Sequence, residues 1–506
     1  MTGWPNPLIP GFNPDPSVVR VDGVYYLVTS TFEYLPGLPV YRSDDLIHWE
    51  HIGNVAERPE QVAVGTVATG AGVFAPTIRH HDGLFHVIVT VVGSPRGCVV
   101  FTATDPSGPW SDGLTIHGVD GIDPDLAWDH DGTAYVTYSG LRLAGEEAGS
   151  HYGIEQVRVD LTTGQALEGP RRLWSGTGLR YPEAPHLYQV GDHWYLVIAE
   201  GGTERGHAVS VARGASPTGP FTGHPANPVL TASGTSRPVQ NTGHADLVET
   251  PDGGWAMVLL GVRPLGEAQA FSPLGRETFI TDVTWTADGW PTVAPVELDP
   301  RAGTENMVLS FEDESVLDDP GWLAVRTTPR AVATVAGGNL ELRGRKTGLD
   351  DPRPVLVGCR QRHLNAVVTT TVDVSKGTGG LATRYNERHH FGLEARAEDG
   401  STVVTAWGAV AGLRQEWRST FPSGPIELGI ELRMPAGAAG DAVEDRIRLL
   451  ANGVPLAELN GRNWTMETCA SFAGRVVGLH ASEGVVRFAD FRYTGWETTS
   501  ATDQPR

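Results

Sequence analysis

Short runs of aromatic and β-branched residues, each opened by a turn signal, recur along the first three hundred residues of this chain. Five of these runs share a beginning. They read Asp22-Gly23-Val24-Tyr25-Tyr26-Leu27-Val28, Asp82-Gly83-Leu84-Phe85-His86-Val87-Ile88, Asp131-Gly132-Thr133-Ala134-Tyr135-Val136, Gly191-Asp192-His193-Trp194-Tyr195-Leu196-Val197 and Asp252-Gly253-Gly254-Trp255-Ala256-Met257-Val258. Asp-Gly supplies the positive φ of a tight hairpin, and the aromatic and β-branched residues that follow suit a pleated strand. The copies start at residues 22, 82, 131, 191 and 252. A second turn recurs downstream of several copies, as Arg42-Ser43-Asp44-Asp45-Leu46-Ile47-His48-Trp49, Ala103-Thr104-Asp105-Pro106-Ser107-Gly108-Pro109-Trp110 and Gly214-Ala215-Ser216-Pro217-Thr218-Gly219-Pro220-Phe221. Together they predict a small antiparallel sheet repeated five times. Arranged radially, five such sheets make a five-bladed β-propeller.

The repeat stops after Trp290-Pro291-Thr292, and Asp299-Pro300-Arg301-Ala302-Gly303-Thr304-Glu305 reads as a linker. Beyond it the Asp-Gly repeat gives way to alternating apolar and polar runs: Val367 to Val374, Ile426 to Leu432 and Phe488 to Tyr493, with turn signals between them. These predict a β-sandwich of ordinary domain size. The expected organisation is all-β, with a propeller over residues 1–300 and a sandwich over 306–497. The polar tail after Trp496 is expected to fray.

Composition narrows function more than fold. The formal charge of −22 repels phosphate, which disfavours nucleic acid and anionic membranes and leaves a neutral substrate such as a sugar compatible. Cys98, Cys359 and Cys469 are odd in number and far apart, so neither a disulfide framework nor a metal-ligand spacing is expected. The first residues lack the basic and apolar regions of a signal peptide, and no run is long enough to span a bilayer, so a cytoplasmic protein is the expectation.

The candidate chemistry lies in three acids that each stand beside a proline near a predicted strand edge. They are Asp15 in Asn13-Pro14-Asp15-Pro16-Ser17, Asp123 in Ile122-Asp123-Pro124-Asp125, and Glu183 in Tyr181-Pro182-Glu183-Ala184-Pro185-His186. A propeller gathers the inner strand of every blade around one axis, so acids from different blades can converge there. Carboxyl groups brought close resist joint ionisation. One then stays protonated as an acid while another serves as a base, as glycosidic bond hydrolysis requires. The bland alternative is that Asp-Pro only starts a turn. Asp125 also competes with Asp123, because it lies two residues on.

These motifs, in this order, resemble glycoside hydrolase family 43, in particular its β-xylosidase and α-L-arabinofuranosidase branch with a C-terminal, concanavalin-like sandwich. The resemblance covers almost the whole chain. It implies that Asp15 in Pro10 to Ser17 is a general base, that Asp123 orients and tunes the acid, and that Glu183 is the general acid. It implies that Phe32 in Ser30 to Gly37 and Phe74 in Val73 to Pro76 line the sugar pocket. His244 in Gly243 to Val248 would lie near the axis, and Arg276 in Ser272 to Thr278 would contact sugar hydroxyls. Phe472, in Ser471-Phe472-Ala473-Gly474, would help to close the pocket and favour removal of single terminal sugars. Two residues depart from the pattern: Phe74 stands where the family usually has Trp, and Pro182 where Thr is common. His244 is left open between a core histidine, a neighbour of a water-held Ca²⁺ and an electrostatic partner of the acids. The implied activity is an inverting, exo-acting β-xylosidase on xylo-oligosaccharides. The alternatives are an α-L-arabinofuranosidase acting on arabinose-substituted oligosaccharides, and a non-catalytic carbohydrate-binding propeller. No cofactor is required by this reading, and self-association is a further expectation.

Overall fold

The computed structural model of the protein describes residues 3–266, 268–434 and 445–497. It divides into two compact units. The first comprises residues 1–9, 13–262 and 277–299. The second comprises residues 300–506 with two excursions from earlier in the chain, 10–12 and 263–276.

The first unit is built from five antiparallel sheets in sequence order. Their first strands are β1 (Ser17–Val21), β2 (Thr77–His81), β3 (Ile122–Trp128), β4 (Glu183–Val190) and β5 (Gln240–Glu249). Each touches the next, and β5 touches β1, so the five close into a ring. This is the expected five-bladed propeller.

Successive side chains of a strand point to opposite faces of its sheet, and this explains how the blades stack. Tyr25 and Leu27 pack with Val248, Val258 and Ile280 of the fifth sheet, while Tyr26 and Val28 pack with Ile78, Val87 and Phe101 of the second. Leu196 and Ile198 face Ala127 and Ile154 of the third sheet, whereas Tyr195 and Val197 face Leu247, Leu259 and Phe279 of the fifth. Each blade therefore buries both faces, which is why the hairpin strands carry few polar residues. Full burial of a residue such as Leu196 contributes roughly 1.5–3 kcal/mol.

The hairpin turns are less uniform than the repeat. At Asp22-Gly23 and Asp82-Gly83 both residues are left-handed, and the loops contain two residues. At Gly191-Asp192 only the glycine has positive φ. The third and fifth turns are wider, because Asp129-His130 and Thr250-Pro251 precede the Asp-Gly pair. The N-terminal segment closes the ring. Leu8 N donates to Thr278 O at 2.8 Å, and Asn6 N to Asp299 O at 3.0 Å.

The second unit is a sandwich organised by one long strand, β6 (Asn365–Asn386). Its first half pairs with Ile426–Arg433 on one side and Asp490–Trp496 on the other. Its second half pairs with His389–Glu398 and Val476–Phe488. The register shifts between Asp373 and Lys376, where the strand passes from one sheet to the other. The run expected at Phe488 to Tyr493 is two strands, broken at Ala489. Phe311, Trp322, Leu381, Phe391, Leu428, Leu449, Leu479 and Phe491 are buried in its core. Among the described residues, no helix is long and apolar enough to cross a membrane.

Candidate active site

The candidate residues of the first unit gather where the first strands begin. Asp15 lies two residues before β1, Asp123 is the second residue of β3, and Glu183 opens β4. The backbone there is strained. Asp15 (φ 58°), Phe32 (53°), Asp123 (55°), Ala184 (49°), Asn241 (56°) and His244 (49°) are all left-handed without being glycine. Such residues concentrate at functional sites, where surrounding structure holds them in place. β3, β4 and β5 also bulge here, between Ile122 and Asp125, Glu183 and His186, and Gln240 and Ala245. A bulge re-aims side chains, so residues two apart no longer share a setting.

Asp15 is buried, accepts the Ser30 hydroxyl at 2.6 Å, and lies 3.6 Å from His244 Nδ1. That places the His244 ring beside the carboxylate. Asp123 is buried and accepts the Ala184 backbone N–H at 3.0 Å. It thereby holds the residue that follows Glu183. Glu183 is partly exposed, and its Oε1 lies 3.7 Å from Nε2 of the buried His207. Phe32 and Phe74 meet edge to face, 5.4 Å between ring centres. Phe32 exchanges two backbone hydrogen bonds with Val73, which joins the first blade to the second.

Asp125 has other work. It takes Arg79 Nη2 at 2.8 Å and the Leu187 N–H at 2.9 Å. Arg79 Nη1 reaches Asp246 at 2.9 Å, and Nη2 lies 3.0 Å from His186 Nδ1. Asp246 also accepts Ser17 Oγ at 2.6 Å and the Tyr188 hydroxyl, while Ser17 Oγ accepts the Ile78 N–H at 3.0 Å. One polar network thus joins all five first strands, a step further along them than the acids. Burial works against charge on Arg79, but Asp125 and Asp246 outweigh it and raise the Arg79 pKa. Burial likewise tends to raise the pKa of Asp246; Arg79, His186 and the Ser17 and Tyr188 hydroxyls overturn this and hold it below the ordinary carboxylate range. Tyr188 is pushed up by burial and by Asp246.

The two remaining expected residues lie in the second unit. Arg276 Nη2 donates to Phe472 O at 3.1 Å, and the guanidinium carbon stands 5.3 Å from the Phe472 ring centre. Arg276 is buried, whereas Phe472 is 41% exposed. The sequence reading did not single out Ser30, Arg79, His207, Asn241 or Asp246.

Around His244 the geometry supplies one imidazole and one carboxylate. Among the described residues, no group of three or more His, Cys, Asp and Glu side chains is placed to hold a metal ion.

Comparison with known proteins agrees with the all-β fold of the two units. Residues 4–291 match the model of glycosyl hydrolases family 43, and residues 311–497 match that of the beta xylosidase C-terminal concanavalin A-like domain. A non-reducing end alpha-L-arabinofuranosidase of Bacteroides ovatus is 38% identical over 421 residues, covering 79% of this chain and 77% of its own. A xylosidase/arabinosidase of Butyrivibrio fibrisolvens is 33% identical over 524 residues, 94% of this chain and 95% of its own. Among solved structures, a xylan beta-1,4-xylosidase from Bacillus halodurans superposes with a TM-score of 0.86 at 27% identity, over 97% of this chain and all of the other.

Proposed function

The chain belongs to glycosyl hydrolases family 43, whose xylosidases and arabinofuranosidases need no cofactor for catalysis, and from that premise we propose that it is an inverting exo-glycosidase releasing terminal D-xylose from β-1,4-xylo-oligosaccharides. The observation that carries this reading is that Asp15, Asp123 and Glu183 each lie at the strained start of a first strand of the ring, each with its own partner.

Asp15 serves as general base. It takes a proton from water, whose oxygen attacks the anomeric carbon. Glu183 gives its proton to the glycosidic oxygen as the carbon–oxygen bond breaks and the electron pair passes to the leaving group. Displacement in one step inverts the anomeric centre and requires the two carboxyls about 6.5–9.5 Å apart, with room for the water between them. Asp123 positions the acid through Ala184. Phe32 and Phe74 offer ring faces to the apolar side of the sugar.

A second reading, α-L-arabinofuranosidase, is favoured by the Bacteroides ovatus relative. The two are separated by release of 4-nitrophenol from the β-D-xylopyranoside and the α-L-arabinofuranoside, with wild type and Asp15→Ala compared. Xylosidase turnover that is lost in the variant supports both the class and the base. Dominant arabinofuranosidase turnover keeps the machinery and changes the sugar. Proton NMR of the first-formed anomer decides inversion.

A further inference from the structure

We propose that His207 is a positioning residue for the general acid, holding Glu183 in its protonated form between turnovers. This rests on Glu183 acting as the acid.

The tautomer of His207 follows from its partners. Its Nδ1 lies 3.0 Å from the carbonyl oxygen of Asn241. A carbonyl can only accept, so Nδ1 carries the hydrogen. A neutral ring then presents a lone pair at Nε2. That lone pair faces Glu183 Oε1 at 3.7 Å, longer than a hydrogen bond but close enough to act on charge. A protonated carboxyl can turn its O–H toward the lone pair. A carboxylate can only set its own lone pairs against it. The ring therefore favours the acid form, and contacts of this kind shorten in substrate complexes. After the proton has passed to the leaving oxygen, the same opposition favours reprotonation of Glu183 from solvent.

The surroundings are built around this ring. A Cβ placed on Gly243 would lie 2.4 Å from His207 Cε1 and Nδ1, so only glycine leaves room for the imidazole. The Asn241 backbone is left-handed, at φ 56°, while its carbonyl meets Nδ1. The His207 main chain is pinned at both ends: its N–H donates to Glu204 O at 2.9 Å, and its carbonyl accepts Thr231 Oγ1 at 2.9 Å. A histidine that merely filled space would need none of these arrangements about its nitrogens.

The test is leaving-group dependence. Wild type, His207→Phe, His207→Gln and Glu183→Gln are compared on aryl glycosides of the preferred sugar, with phenols of graded acidity, and on the corresponding disaccharide. A good leaving group needs little proton donation. His207→Phe should therefore lower kcat on the disaccharide by about tenfold or more, with KM little changed and the most acidic phenol nearly unaffected. His207→Gln, which keeps an acceptor, should recover part of the loss. An equal loss on every leaving group, or none, overturns the proposal. If Glu183→Gln itself shows no such gradient, the acid assignment fails instead. A measurement on the unaltered protein stands beside these, should the variants not fold. Nitrogen-15 NMR of histidine-labelled protein should show His207 protonated at Nδ1 and bare at Nε2; the opposite tautomer overturns the proposal.

Discussion

The carboxylate of Asp123 accepts the backbone N–H of Ala184 at 3.0 Å, so the aspartate of the third blade grips the chain one residue beyond the acid of the fourth. Asp123→Asn keeps an oxygen that can accept this bond but loses the charge; Asp123→Ala loses both. If the charge matters most, both variants should lose about 10²-fold in kcat. If positioning matters most, Asp123→Asn should retain most of the activity. Steady-state kinetics on one substrate decide between them, with circular dichroism to show that both proteins fold.

Ser30 presents its hydroxyl to Asp15 at 2.6 Å. A hydrogen bond to a charged group is worth about 1.5–3 kcal/mol, so Ser30→Ala should reduce kcat/KM by about tenfold or more. Activity equal to wild type would mean that Asp15 is held by its remaining surroundings alone.

Arg79 lies between two buried carboxylates, at 2.8 Å from Asp125 and 2.9 Å from Asp246. Arg79→Met leaves both carboxylates without their cation. Removing one partner of a buried ion pair costs about 3–5 kcal/mol, and chemical denaturation should register a fall of that size. A loss under about 1 kcal/mol would show that solvent reaches the pair.

The sandwich carries two histidines whose protonation the fold resists. His390 Nδ1 accepts the Trp407 indole N–H at 2.9 Å, which requires a bare Nδ1 and so the neutral ring, while Nε2 lies 2.8 Å from Asp350. Burial lowers its pKa to about 4 despite Asp350. Burial, with Arg362 and Arg263, lowers that of His363 to about 3. Unfolded, each takes up a proton near its ordinary 6.5. Below that pH the unfolded chain binds more protons than the folded one, so stability is intact above about 6.5 and falls as the pH drops toward 4 and then 3. The loss by pH 4 is about 3 kcal/mol for each histidine. Thermal melts of wild type between pH 8 and about 4 should show the decline, and His390→Gln should flatten it.

The blades and the three acids were legible because each has a local signature. Asp-Gly before an aromatic run marks a hairpin wherever it occurs, and an acid beside a proline at a strand start stands out in the chain. Asp125 shows where such reading stops. Two residues from Asp123, it would share a face with it in a regular strand, but the bulge in β3 sends one to Ala184 and the other to Arg79. His207 and Asp246 had no signature at all. Their roles come from strands of different blades meeting, and neither spacing nor composition encodes who the neighbour will be. The excursions 10–12 and 263–276 were hidden for the same reason, since grouping in space leaves no mark on apolar periodicity.

The closure of the ring by its first residues sets an order of events during synthesis. Asn6 gives its side-chain amide to Ile280 O across 274 positions of sequence. That bond cannot form until the last blade has been made. Pairings so distant form late and slowly. Ser17 likewise waits for Asp246. The contacts that close the ring thus form only after the strands that bear Asp15, Asp123 and Glu183 have been made, and a chain interrupted before its fifth blade should be both open and silent.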